Sequence, residues 1–147
     1  MSQMDKAIDI LWIDDELFPP GADAIKSRVT KLLEFHNGFS LRTACTAAEG
    51  VQRLQEKVAD VLIMDIIMAF GRDFPVEATA DPMVAGIHLI QYVRDTMKLS
   101  MPIIVITNRP GALSEGKREE LGVVSFMPKP MRIEKLAEII KSVLEET

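Results

Sequence analysis

The chain has 147 residues, 48% of them hydrophobic, and 22 Asp+Glu against 17 Lys+Arg for a net charge of -5; this suits one soluble globular domain and excludes a general phosphate-backbone binder, whose affinity comes from clustered Lys and Arg. Cys45 is the only cysteine, so intramolecular disulfides and cysteine-based zinc sites are excluded and a reducing, cytoplasmic compartment is expected, with Cys45 as a small buried hydrophobe. The polar N-terminus has the wrong order and length for a secretory signal, and the longest apolar stretch, Val61 to Phe70, is short of the ~20 residues of a membrane span and is broken by Asp65.

Five strand-like runs alternate with five stretches of helical periodicity, without internal repeats. Ile8 to Ile13 reads as a buried strand closed by Asp14-Asp15-Glu16, and after Pro19-Pro20-Gly21 a helix carries Ile25, Val29, Leu32 and Leu33 on one stripe. Phe39 to Ala44 is the second strand. Thr46 and Glu49 form a capping box for a second helix whose inner stripe is Val51, Leu54 and Val58. Val61 to Met64 is continuously apolar, as for a strand covered on both faces, and ends on Asp65. A third helix over Ala85 to Met97 shows Ile87, Ile90, Val93 and Met97, and Pro102 introduces the fourth strand, Ile103 to Ile106, followed by Thr107. A short charged helix, Leu113 to Leu121, stops at Gly122; Val123 to Met127 is the fifth strand; the last helix, Arg132 to Glu145, carries Ile133, Leu136, Ala137, Ile140 and Val143 inward. Such alternation predicts a doubly wound α/β domain: a five-stranded parallel sheet with helices on both faces.

In open parallel sheets ligands bind at the carboxyl ends of the strands. Here those ends carry Asp14 and Asp15, Asp65, Thr107, and Lys129 followed by Pro130. Singly, each residue has an ordinary explanation as a turn cap, a strand end or a surface corner. Jointly they do not, because carboxylates about 4 Å apart repel by several kcal/mol at an effective dielectric near 20. A bound cation reverses that sign. With only oxygen donors on offer, a hard ion such as Mg²⁺ fits better than zinc, and the site would take a phosphoryl group.

These residues resemble the receiver domain of two-component response regulators, over nearly the whole chain. The resemblance is carried by Asp14-Asp15 after the first strand, Asp65 after Val61-Leu62-Ile63-Met64, Thr107 in Ile104-Val105-Ile106-Thr107-Asn108, and Phe126-Met127-Pro128-Lys129-Pro130. It implies a flavodoxin-like (βα)5 fold with strand order 2-1-3-4-5. It further implies a single domain over residues 1–147 in which Asp65 accepts a phosphoryl group from a histidine kinase or a histidine phosphotransfer protein. Mg²⁺, or Mn²⁺ in its place, would be held by Asp14, Asp15, Asp65 and the backbone carbonyl of Ile67. Lys129 would pair with a phosphoryl oxygen; Thr107 would turn toward the phosphoryl group and Phe126 would move into the space vacated. The Lys129-Pro130 peptide is a candidate for cis. The output is contact with a downstream protein, without direct nucleic-acid binding or membrane insertion, by a regulator that either stands alone or is cut from a longer chain. As a signalling domain it would turn over nothing beyond its own aspartyl phosphate.

Several positions depart from the family pattern. Asp65 and Gly86 lie 21 positions apart, so the connection at about 66–85 is long for a βα loop, typically ~2–6 residues. It is either a disordered surface insertion or a lid beside Asp65. Ile67 and Arg109 border the path of hydrolytic water; an apolar Ile67 does nothing to orient that water and predicts slow loss of phosphate. Asn108, bulkier than the residue common there, narrows donor access. His36 and His88 read as surface or packing residues, Trp12 as core. Two other readings compete: a haloacid-dehalogenase-like phosphatase, which wants Asp-x-Asp where this chain has Asp14-Asp15, and a receiver-like binding module that is never phosphorylated.

Overall fold

A computed structural model describes residues 7–16, 21, 27–31, 33–34, 38–72, 74, 85–109, 111 and 113–145. Five strands, β1 (Ile8–Ile13), β2 (Phe39–Ala44), β3 (Val61–Met64), β4 (Ile103–Thr107) and β5 (Val123–Pro128), form one parallel sheet in the order β2-β1-β3-β4-β5. The helical residues 27–31 and 33–34 constitute α1, followed by α2 (Ala47–Glu56), α3 (Ala85–Gln91), α4 (Glu115–Glu120) and α5 (Ile133–Glu145). This is the architecture expected from the alternation. Ile25, Leu32 and His36 lie outside the described residues, as do most of the positions between 73 and 84.

Strand periodicity divides the core in two. Ile10 and Trp12 of β1, Val61 and Ile63 of β3 and Ile104 and Ile106 of β4 face Val29 and Leu33 of α1 and Leu136, Ala137 and Ile140 of α5. The alternate residues, Leu11, Ile13, Leu62, Met64, Ile103 and Val105, face Val51 and Leu54 of α2 and Leu89 and Ile90 of α3. A central strand buried on both faces therefore reads as an unbroken apolar run. Trp12, only 3% exposed, is core as expected.

Four local expectations need correction. Val58 is 51% exposed rather than part of the inner stripe of α2. The helix ends at Glu56: Lys57 takes an extended conformation, and the Arg42 guanidinium donates to the carbonyls of Arg53 and Lys57, so the periodicity runs on past a chain that has already turned away. The third helix is not regular to Met97, because Tyr92–Thr96 widen into a π-helical turn in which Met97 N–H donates to the Tyr92 carbonyl. Cys45 is half-buried rather than a core residue. The short fourth helix begins only at Glu115, capped by the Ser114 side chain, with Leu113 buried ahead of it, and Gly122 takes a φ of +73° where it ends.

Candidate functional site at the carboxyl edge of the sheet

Register brings the site together. Ile13 of β1 pairs with Met64 of β3, so the next residues, Asp14 and Asp65, leave neighbouring strands side by side. Thr107 pairs with Pro128, which places Lys129 one residue beyond, and Lys129 N–H donates to the Thr107 carbonyl. The topological reversal between β1 and β3, where crossovers leave to opposite faces, is where ligands of such sheets bind.

Asp14 and Asp65 are buried, 1% and 2% exposed. Lys129 Nζ lies between them, 2.8 Å from Asp65 Oδ2 and 3.0 Å from Asp14 Oδ2, and 3.7 Å from Glu16 Oε2. Burial pulls the Lys129 ammonium toward deprotonation, but contacts with Asp65 and Asp14 outweigh it and the pKa is raised. The other oxygens are engaged locally: Asp14 Oδ1 accepts the Glu16 N–H at 2.8 Å and Asp65 Oδ1 the Ile67 N–H at 3.2 Å. Asp15 stands beside this pair, half-buried, its Oδ2 accepting the Ala69 N–H at 3.2 Å. Burial first and the Asp14 charge second push its carboxyl pKa up.

Lys129 thus stands at the Asp14 and Asp65 pair, with Asp15 to its side. Among the described residues no three His, Cys, Asp or Glu side chains are gathered as a formed metal cage. Lys129 separates Asp14 from Asp65 and offsets their repulsion. The chemistry of the donor set nevertheless fits a hard divalent cation: all donors are oxygens, and one ammonium does not neutralise Asp14, Asp15 and Asp65.

Thr107 is fully buried and its hydroxyl oxygen accepts the Arg109 N–H at 3.1 Å. Phe126 is half-buried against the α2/α3 side of the core, its ring covered by the Arg118 guanidinium, 4.5 Å from the centroid. Asn108 and Arg109 are exposed at the rim, and Ile67 is half-buried. The Lys129-Pro130 peptide is cis. A cavity of about 390 Å³ opens beside the acids, lined by Trp12, Asp14, Ile106, Asn108 and Lys129 among others.

Sequence reading missed three contributors. Glu16 reaches Lys129, a role its place in Asp14-Asp15-Glu16 could have suggested. Ala69 acts through its backbone N–H and Arg118 through a stack on a distant strand, for which no sequence signal exists. His88 packs its ring against Phe70, the ordinary role expected of it.

The family model of the response regulator receiver domain matches residues 10–141. The chain belongs to that family and is a receiver domain of two-component signalling. It is 25% identical over 138 residues to the response regulator MprA of Mycobacterium leprae, covering 94% of this chain and 51% of the relative. It is 24% identical over 123 residues to the probable transcriptional regulator ycf29 of Porphyra purpurea, covering 83% and 53%. It therefore spans about half the length of these curated relatives. Among solved structures, the CheY-like receiver domain protein from Methanospirillum hungatei superposes with a TM-score of 0.68 at 23% identity, over 96% of each chain. The chemotaxis regulator CheY4 of Vibrio cholerae does so with 0.67 at 22%, over 94% of this chain and 99% of that one. These likenesses carry the fold, and nothing in the comparisons supports the phosphatase reading or that of a never-phosphorylated module. No described helix is long and apolar enough to cross a membrane.

Proposed function

We propose that Asp65 is the phosphoryl acceptor of this receiver, with a phosphohistidine of a histidine kinase or phosphotransfer protein as donor. The observation that carries this reading is the buried Asp65 carboxylate with Lys129 Nζ at 2.8 Å and Asp14 beside it. An Asp65 oxygen attacks phosphorus, the P–N bond breaks, the imidazole leaves with the bonding pair, and an acyl phosphate remains; water later cleaves it to phosphate and the free carboxylate. Such transfer asks the protein mainly for positioning and charge neutralisation.

Lys129, already on Asp65, pairs with an incoming phosphoryl oxygen. Asp14, Asp15, Asp65 and the Ile67 carbonyl would hold Mg²⁺, or Mn²⁺, which when bound offsets charge on the transferring group. The Thr107 hydroxyl, which accepts from Arg109 N–H, keeps its own proton to donate to the phosphoryl group. Phe126 responds by moving its ring from beneath Arg118, and the changed surface meets a downstream protein. Asn108 and Arg109 flank the entrance. The compartment is the cytoplasm, where kinases of this kind present phosphohistidine. Intact mass after incubation with acetyl phosphate and Mg²⁺ tests the acceptor: one added phosphate on the wild type and none on Asp65→Ala supports it, and equal labelling of both refutes it.

A further inference from the structure

The described start of the long connection after Asp65 is stitched to the body rather than laid over it. The Ile66 carbonyl accepts the Gly86 N–H at 2.7 Å. Three residues on, Ala69 is a joint: its N–H donates to Asp15 Oδ2 at 3.2 Å, its carbonyl accepts the Ala47 N–H at 3.0 Å, and it pairs with Thr46 as an isolated parallel bridge. The Phe70 carbonyl accepts the Ala48 N–H at 2.8 Å, and the Thr46 hydroxyl the Glu49 N–H at 3.1 Å. The first amides of α2, which no helix can satisfy from within, are thus taken up largely by this strap. Gly71, at a φ of +80°, passes so close that a Cβ there would sit 2.6 Å from Thr46 Oγ1. Phe74, 8% exposed, seats the strap between Phe70 and Tyr92.

We propose that the Ala69 N–H is a positioning group for Asp15, and that through Ala69 the strap ties divalent-cation capture at the site to the first turn of α2. The inference rests on the reading of Asp15 as an ion ligand. A hydrogen bond to one carboxylate oxygen fixes the side chain and leaves the other oxygen free, and partners of this kind govern metal affinity. Because the same residue's carbonyl holds Ala47, Asp15 is oriented only while the strap is seated on α2. By linkage, an ion that uses the oriented Asp15 must in turn stabilise that seat.

The probe is Mg²⁺ alone, titrated by calorimetry into the wild type and into Ala69→Pro, which deletes this N–H and leaves the carbonyl, with backbone amide exchange followed by NMR. Lost partners of ligands typically cost ~10–100-fold in metal affinity; the half-buried Asp15 places this one near the lower end, at about tenfold. In the wild type Mg²⁺ should also slow exchange at Ala47 and Ala48, and Ala69→Pro should lose that slowing. A loss of affinity below threefold, or Mg²⁺-saturated wild type with unchanged exchange at Ala47 and Ala48, overturns the proposal; the second arm stands even should the variant fail to fold. Wild type that binds no Mg²⁺ removes the ion-site reading and this refinement with it, whereas binding without coupling removes the refinement alone.

Discussion

At the scale of single residues the site is a problem in charge. Asp14 and Asp65 sit in the interior with Lys129 between them, a pairing whose Coulomb gain is offset by desolvation, so its use lies in poise rather than in stability. Asp15 carries the unbalanced remainder. Its pKa is raised on folding, so the folded state holds the proton more tightly than the unfolded chain, and the ionised carboxylate opposes folding at neutral pH. Stability is gained as pH falls through the folded pKa and lost as pH rises through it. In metal-free buffer Asp15→Asn should therefore melt above the wild type at pH 7, with the gap vanishing at pH values below the ordinary carboxyl range, where Asp15 is already neutral. A gap of constant size across that range contradicts this account. Ile67, half-buried two residues beyond Asp65, offers no group to orient water. Ile67→Asn should shorten the lifetime of the acyl phosphate severalfold in a decay assay after removal of the donor, and an unchanged lifetime would deny Ile67 that role.

At the scale of elements, close approach explains what side-chain chemistry does not. The first turn of α3 lies directly on the backbone that presents Asp65: a Cβ on Gly86 would fall 2.4 Å from the Asp65 carbonyl oxygen and 2.5 Å from Ile66 Cα. Neither atom can swing aside as a flexible side chain would. Gly86→Ala should cost about 3 kcal/mol in urea denaturation, the upper end for overpacking, and should reduce phosphoryl acceptance; a loss below about 0.5 kcal/mol would show that helix and loop part easily. Helix α4 is the opposite case, with no buried residue of its own. Its tie to the sheet includes the Arg118 guanidinium on the Phe126 ring, a contact of about 0.5–1 kcal/mol. Arg118→Ala should speed amide exchange over 115–120 by roughly two- to fivefold, the equivalent of that energy. Unchanged exchange there would mean that the ring does not hold the helix.

At the scale of the molecule, most of the fold was legible because its determinants are local and periodic. Val61 to Met64 reads as a doubly covered strand since both faces are in fact covered, and the strand-end acids stand out because β1 and β3 are neighbours in the sheet. What escaped was three-dimensional. The apolar period of α2 continues to Val58, yet a cap formed by Arg42 from β2 ends the helix first. That Lys129 bridges Asp14 and Asp65 is likewise not legible, since strand order places the three residues at one edge without fixing which side chains touch. Ala69 is illegible for a simpler reason: its contribution is a backbone N–H, which every residue but proline possesses. The described start of the long connection is fastened to the first turns of α2 and α3 by backbone hydrogen bonds to Ala47, Ala48 and Gly86, which no side-chain pattern announces.

Which atom takes the phosphoryl group decides the roles of Asp14, Asp15 and Asp65. The direct measurement is reductive trapping: the wild type is labelled with acetyl phosphate and Mg²⁺, reduced with borohydride to turn an acyl phosphate into homoserine, digested with trypsin and sequenced by tandem mass spectrometry. Peptide 58–72 carries Asp60 as an internal control beside Asp65. Homoserine at position 65 alone is the predicted result; homoserine at Asp14, Asp15 or Asp60, or at no position in a folded, donor-treated protein, would contradict it.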